Sequence, residues 1–108
     1  MGSHGGDQDP EASRLARKET FEKLVARASK LSDDRLEAMR DRISETLPLD
    51  DQLRFAIAMS GKSQYALAKQ IGVVNGVISR FMNYERDIRM ETAAKLAEAL
   101  GLSLQKRG

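Results

Sequence analysis

The sequence has 108 residues, enough for one domain of ordinary size with a small appendage. Only 5% of residues are aromatic and none is tryptophan, so the core must be small and built from Leu, Ile, Val, Ala and Met, and the prevalence of Ala, Leu, Lys, Arg and Glu favours an all-α fold. A net charge of +2 is compatible with nucleic acid without pointing to it. The absence of cysteine excludes disulfides and thiolate metal sites, the single His4 excludes a histidine-based metal cluster or triad, and no apolar run is long enough to span a membrane.

Residues 1–10, MGSHGGDQDP, are Gly-rich and polar without periodicity and read as a disordered tail. Residues 11–31 form a helix candidate. Phe21, Leu24, Ala28 and Leu31 recur at intervals of three and four with Val25 beside them, while Arg14, Lys18, Glu22, Lys23, Arg27 and Lys30 occupy the other face. Glu19 and Lys23 have the spacing of a helical ion pair. Ser32 is placed to cap a second helix, residues 33–46, with Asp33 and Asp34 at its dipole-positive end. Leu36, Met39, Ile43 and Leu47 make its stripe. The two segments are either a hairpin folded across Leu31 and Ser32 or one long helix. Stripes this narrow need a partner surface, from this chain, a second copy or another protein.

Pro48 cannot sit inside a helix and pushes Leu47 out of the helical region, so LPLDD is the joint between the N-terminal helical segment, residues 11–47, and a second unit, residues 48–104. Asp50 is expected to cap the next helix, residues 51–60, on which Leu53, Ala56, Ile57 and Ser60 share a face. Gly61 ends it and Ser63 caps a short helix over residues 64–71 that buries Leu67, Ala68 and Ile71.

SQYALAKQIGVVNGVISRFMN, residues 63–83, then reads as two helices joined at Gly72. Close crossing of the helices needs a small residue, supplied by Ala68. The turn needs positive φ, supplied by Gly72. Val73 fills the inside of the turn, and Val77 or Ile78 with Phe81 bury one side of the second helix. Asn75, Gly76, Ser79, Arg80, Met82 and Asn83 are left facing outward. Arg and Asn are the side chains that pair bidentately with guanine and adenine in the major groove. Ala93, Leu96, Ala97 and Leu100 face the core from a further helix, residues 90–100, with Ile88 at its entry, an exposed Glu91–Lys95 pair, and Gly101 with Leu102 as its cap. Residues 105–108 are a basic tail.

Three phrases in order, SQYALAKQIGV, VISRFMN and METAAKLAEALGL, resemble the Cro/phage-repressor class of helix-turn-helix domains, also called the XRE family, over residues 51–104. The resemblance implies a lambda-repressor-like bundle of about five helices that binds double-stranded DNA as a dimer. It implies base-facing positions at Val74, Asn75, Gly76, Ser79 and Arg80. It implies backbone-facing positions at Gln64, Asn83, Arg86 and Arg89, with Lys62 and Lys69 as further neighbours. The sequence departs from the class in three places. Val74 stands where Ser or Thr usually caps the recognition helix, which makes Asn75 the substitute cap. Gly76 removes a polar reader. Tyr84 stands where Gly commonly follows Asn, so either Asn83 takes the left-handed conformation or the loop differs.

The expected function is a sequence-specific transcriptional regulator, a repressor acting as a homodimer on a two-fold operator, in the cytoplasm of a bacterium or of a phage host. The chain ends just after the DNA-binding unit, so no separate ligand-sensing domain is expected. The alternative is an antitoxin that binds its toxin through the N-terminal helices and represses its own promoter. With no Gly-rich phosphate loop, metal-ligand cluster or nucleophile–base pair, neither an enzyme nor a cofactor is expected.

Overall fold

A computed structural model describes residues 10–102. His4 and the rest of the tail through residue 9, Leu104 and the basic tail lie outside the described residues. Six helices follow one another with no strand among the described residues: α1 (Pro10–Ala28), α2 (Asp33–Thr46), α3 (Leu49–Met59), α4 (Gln64–Ile71), α5 (Asn75–Met82) and α6 (Met90–Ala99). Pro10, expected in the tail, opens α1, where its missing N–H removes no helical bond.

The helices enclose two adjoining cores. The first joins Leu53 and Ile57 of α3, Leu67 and Ala68 of α4, Ile78 and Phe81 of α5, and Leu96 of α6, flanked by half-buried Ile71, Val73, Ile88, Ala93 and Leu100. This is the helix-turn-helix bundle, and its apolar positions are the ones the sequence spacing selects. The second core joins Phe21 and Ala28 of α1, Ile43 of α2, Phe55 of α3, and Tyr84, with Leu24, Leu36, Met39 and Leu47 packed around them. Both N-terminal stripes are therefore buried against α3, whose Phe55 points away from the face that Leu53 and Ile57 share. Met82, expected to face outward, is half-buried and packs against both cores, because the end of α5 turns toward the α1 side.

The N-terminal segment is the hairpin rather than the single helix. α1 stops at Ala28, three residues before the expected end, and Ser29, Lys30 and Leu31 close a turn by donating to Val25, Arg27 and Ala28 carbonyls. Ala28, the last helical residue, is packed into the second core with only 1% of its surface exposed. Ser32 has the extended backbone of a cap, but its hydroxyl makes no cap bond. The ion pairs within α1 are Glu11–Arg14 at 3.8 Å and Lys18–Glu22 at 3.5 Å, not Glu19–Lys23.

At the joint, Leu47 is extended as the following proline requires (φ −93°, ψ 149°). The cap of α3 is Pro48 and not Asp50: the Pro48 carbonyl accepts from the Gln52 N–H at 3.0 Å, and the helix begins at Leu49. Asp50 and Asp51 are thereby carried into the first turn, where they meet Arg54. The Gln52 side chain reaches back to donate to the Leu47 carbonyl at 2.8 Å, tying the end of α2 to the start of α3. Gly101 closes α6 as expected, with the Leu102 N–H on the Ala97 carbonyl at 2.8 Å.

Candidate nucleic-acid interface

α4 and α5 form the helix-turn-helix pair. Ser63 caps α4 in full, its hydroxyl accepting from the Ala66 N–H at 3.0 Å. Gly72 takes φ 80° at the turn, and the N–H groups of Gly72 and Val73 both donate to the Ala68 carbonyl, at 2.9 and 3.0 Å. A Cβ at Gly72 would meet nothing within 4 Å, so the constraint there is the backbone angle and not space. Ile78 and Phe81, both with no exposed surface, pin the inner side of α5 to the first core. Truncating either to Ala would cost about 2–5 kcal/mol, which is why the outer side is held in a fixed orientation.

That outer side begins at Val74, which is 70% exposed and holds the cap position of α5 with extended backbone. Val74 has no side chain that can cap. Asn75 does not take over: it is the first helical residue, and its side chain has no hydrogen-bond partner among the described residues. The first-turn N–H groups of α5 are thus left without a side-chain cap, at the end where the helix dipole favours an acceptor or an anion. Arg80 is exposed and lies back along the helix over Gly76. A Cβ built on Gly76 would come within 3.6 Å of the Arg80 Nη1 and 3.7 Å of its Cζ. Gly76 is therefore a seat for the guanidinium as well as a missing side chain. Ser79 is half-buried between Asn75 and Arg80 on the helix surface.

Around this face lie the other expected positions. Gln64 opens α4 and is half-buried. Lys69 is exposed on the same helix, and Lys62 is exposed before it, with its Nζ 3.4 Å from the Gln70 side-chain oxygen. Asn83 is the half-buried cap at the end of α5, and Arg86 and Arg89 are both exposed in the loop that leads to α6. The structure thus gathers these eleven residues around α4, α5 and the loop after α5.

The loop's first residue departs from expectation. Tyr84 itself takes the left-handed conformation at φ 63°, while Asn83 stays at φ −87°. The conformation costs about 1–2 kcal/mol for a residue with a Cβ. The contacts of the ring supply more than that. The Arg54 guanidinium stacks on it with its Cζ 3.7 Å from the centroid, and Arg17 lies over it at 4.8 Å. Phe21 meets it edge-on at 6.0 Å. The phenol donates to Asp51 Oδ1 at 2.6 Å. A stacked, desolvated cation contributes up to about 2 kcal/mol, and a hydrogen bond to a carboxylate about 1.5–3 kcal/mol. Burial, followed by the bond to Asp51, raises the pKa of the phenol above its ordinary value.

Arg54 is the centre of this cluster and is only 2% exposed. Its Nε donates to the Phe81 carbonyl at 2.8 Å, and its Nη1 donates to Asp50 and Asp51 at 2.8 and 2.9 Å. It also covers the Phe81 ring at 4.2 Å. Arg17 adds 3.4 and 3.5 Å contacts to the same two carboxylates. Arg14, expected on the solvated face of α1, instead donates to the Asn83 carbonyl at 3.2 Å. Two guanidiniums, one from α3 and one from α1, therefore sit on the C-terminal carbonyls of α5, where the helix dipole favours positive charge. The sequence carries a signal for this cluster that residue spacing alone does not rank highly: acidic residues three and four positions before an arginine on an otherwise apolar helix.

Among the described residues no helix is long and apolar enough to cross a membrane, and no group of His, Asp and Glu is arranged to hold a metal ion. The curated proteins contain no match to this chain, and neither do the solved structures. The model of the helix-turn-helix family matches residues 53–106, a stretch that runs from Leu53 of α3 through the turn at Gly72 and on past α6. With half of its length so matched, with Ala68, Gly72, Ile78 and Phe81 in the positions that such a pair requires, and with the outer side of α5 presented to solvent, this chain belongs to the Cro/phage-repressor (XRE) class of helix-turn-helix DNA-binding regulators.

Proposed function

We propose that this protein is a sequence-specific transcriptional repressor that binds a two-fold operator as a homodimer, seating α5 in the major groove. The observation that carries the reading is the outer side of α5: an uncapped helix start at Val74 and Asn75 and an exposed Arg80 one turn further on, flanked by exposed Lys62, Lys69, Arg86 and Arg89. Arg80 reads a guanine edge, Asn75 an adenine, and Val74 a thymine methyl, with Gly76 and Ser79 lining the base-facing surface. Gln64, Asn83 and the four cations contact the sugar–phosphate backbone and set register. Repression follows from occupancy of promoter DNA in the cytoplasm of a bacterium or a phage host. The homodimer is supported by an apolar groove between α3 and α6, lined by Leu49, Ile88, Ala93, Ala94, Leu102 and Met90, which is 87% exposed.

The antitoxin reading assigned the Phe21 and Ile43 stripes to a protein partner, and those residues are buried within this chain against Phe55 and Tyr84. The repressor reading is therefore preferred. Its test is enrichment of protein-bound duplexes from a random pool. The expected result is a two-fold symmetric motif, and for six to ten phosphate contacts an affinity that falls by about 10³–10⁵ between roughly 50 and 200 mM salt. Recovery of no enriched sequence would overturn it.

A further inference from the structure

The loop after α5 carries Asn83, Arg86 and Arg89, three of the proposed phosphate contacts, and its path is set at Tyr84. A glycine at this position would adopt φ 63° freely. This chain instead uses a residue for which the angle is unfavourable and whose ring extends to α1, outside the segment that matches the family. There it meets the edge of Phe21 at 6.0 Å and the Arg17 guanidinium at 4.8 Å, while Arg14 holds the adjacent Asn83 carbonyl at 3.2 Å. The loop is thus held from two sides, by Arg54 and Asp51 of α3 at 3.7 and 2.6 Å and by these three residues of α1.

We infer that α1 is a positioning element for DNA binding: Phe21, Arg17 and Arg14 act through Tyr84 and Asn83 on the placement of Arg86 and Arg89. The inference rests on the DNA-binding reading given above and deepens it, because it assigns a binding role to a helix that lies outside the family domain. Phe21 is 8% exposed and carries no charge, so any effect it has on DNA is indirect, and the salt slope separates a path through the cationic loop from one through the core that Phe21 shares with Phe55. Linkage runs in both directions: bound DNA favours the docked position of α1 as much as docked α1 favours DNA.

The experiment measures binding of the full chain to the duplex that the wild-type protein enriches, as a function of salt, at a temperature where circular dichroism shows each variant folded. Two uncharged changes are the probes, Tyr84→Gly and Phe21→Leu, with Tyr84→Phe as the conservative control. In Tyr84→Gly the ring contacts to both α1 and α3 go while the backbone angle becomes favourable, so Phe21→Leu, which touches the ring from the α1 side alone, assigns the effect to α1. The expected result is binding weaker by about tenfold and a log–log salt slope shallower by about one to two for the loss of one or two phosphate contacts. Phe21→Leu moves in the same direction by a smaller factor. Tyr84→Phe, which keeps the ring, stays within about threefold of wild type with the wild-type slope. Wild-type affinity in folded Tyr84→Gly overturns the inference, and so does weaker binding with an unchanged slope, which would make Tyr84 a merely structural residue. If Tyr84→Gly does not fold, Phe21→Leu decides by the same criteria. Failure of the wild-type protein itself to select a sequence is a separate outcome that removes the DNA reading and this inference with it.

Discussion

The Nε of Arg54 donates to the carbonyl oxygen of Phe81 at 2.8 Å, so the first helix of the helix-turn-helix bundle holds the C-terminal end of the recognition helix directly. The same guanidinium is neutralised by Asp50 and Asp51, and it is nearly devoid of solvent contact at 2% exposure. A charge in that position is tolerated because its partners are complete: no buried side-chain nitrogen or oxygen among the described residues lacks a hydrogen bond.

Removing the guanidinium takes the shortest ion pairs from Asp50 and Asp51, which keep Arg17 and the Tyr84 phenol, and leaves the Phe81 carbonyl with the Tyr84 N–H alone. Arg54→Met, which keeps much of the volume, is expected to cost about 3–5 kcal/mol, read as a lower urea midpoint with an unchanged m-value. The pair as a whole is a different matter, since a well-packed apolar replacement of all its members can be neutral. A loss well under 1 kcal/mol in Arg54→Met would show that Arg17 and the Tyr84 phenol suffice for the two carboxylates.

The phenol of Tyr84 gives a pH signature. Its pKa is raised in the fold by burial and by the bond to Asp51, so the folded protein holds this proton more tightly than the unfolded chain does. The stability it contributes is complete below the ordinary value of 10.0 and declines as pH rises beyond it. In a Tyr65→Phe background Tyr84 is the one remaining tyrosine. Phenolate absorbance is expected to stay low past the ordinary midpoint and then to rise together with loss of helical circular dichroism. A simple titration at the ordinary value with the fold intact would contradict the geometry.

Two serines with the same sequence signature separate a cap position from a cap bond. Ser63 accepts from the Ala66 N–H, whereas Ser32 has the same extended backbone and no such bond. Ser63→Ala is therefore expected to lose about 1 kcal/mol, and Ser32→Ala no more than a few tenths. Thermal melts of the two variants, side by side, check the contrast.

Ser32 also shows where sequence reading reaches its limit. Short-range rules placed the six helices within a few residues and selected Leu67, Ala68, Ile78, Phe81 and Leu96 for the core, because helical periodicity and a required positive φ are local properties. The errors lie where a distant group decides. Asp50 has the chemistry of a cap, but Pro48 fixes the helix start two residues earlier and Arg54 takes the carboxylate. Arg54 reads as one more charge on a charged chain until Phe81 and Tyr84, both far along the sequence, are folded onto it. Tyr84 looks incompatible with a left-handed turn on local grounds, and the compensation comes from α1 and α3. The outer side of α5 was legible because exposure of Val74, Asn75 and Arg80 follows from burial of Ile78 and Phe81 on the same short helix.

Arg80 and Gly76 provide the sharpest test of the proposed base-reading role of that side. Arg80→Ala is expected to relax sequence preference at one base pair and to cost about 1–3 kcal/mol at the preferred sequence. Gly76→Ala tests whether the bare backbone of the glycine is itself needed at the groove. The added methyl would lie 3.6 Å from the Arg80 Nη1, an ordinary contact that leaves the guanidinium in place. Helix propensity favours the alanine by up to about 1 kcal/mol, so the folded state is expected to gain stability. The enriched motif is expected to match wild type at the position that Arg80→Ala relaxes. A Gly76→Ala motif that changes there would show that the glycine, and not Arg80 alone, sets the preference at that base pair.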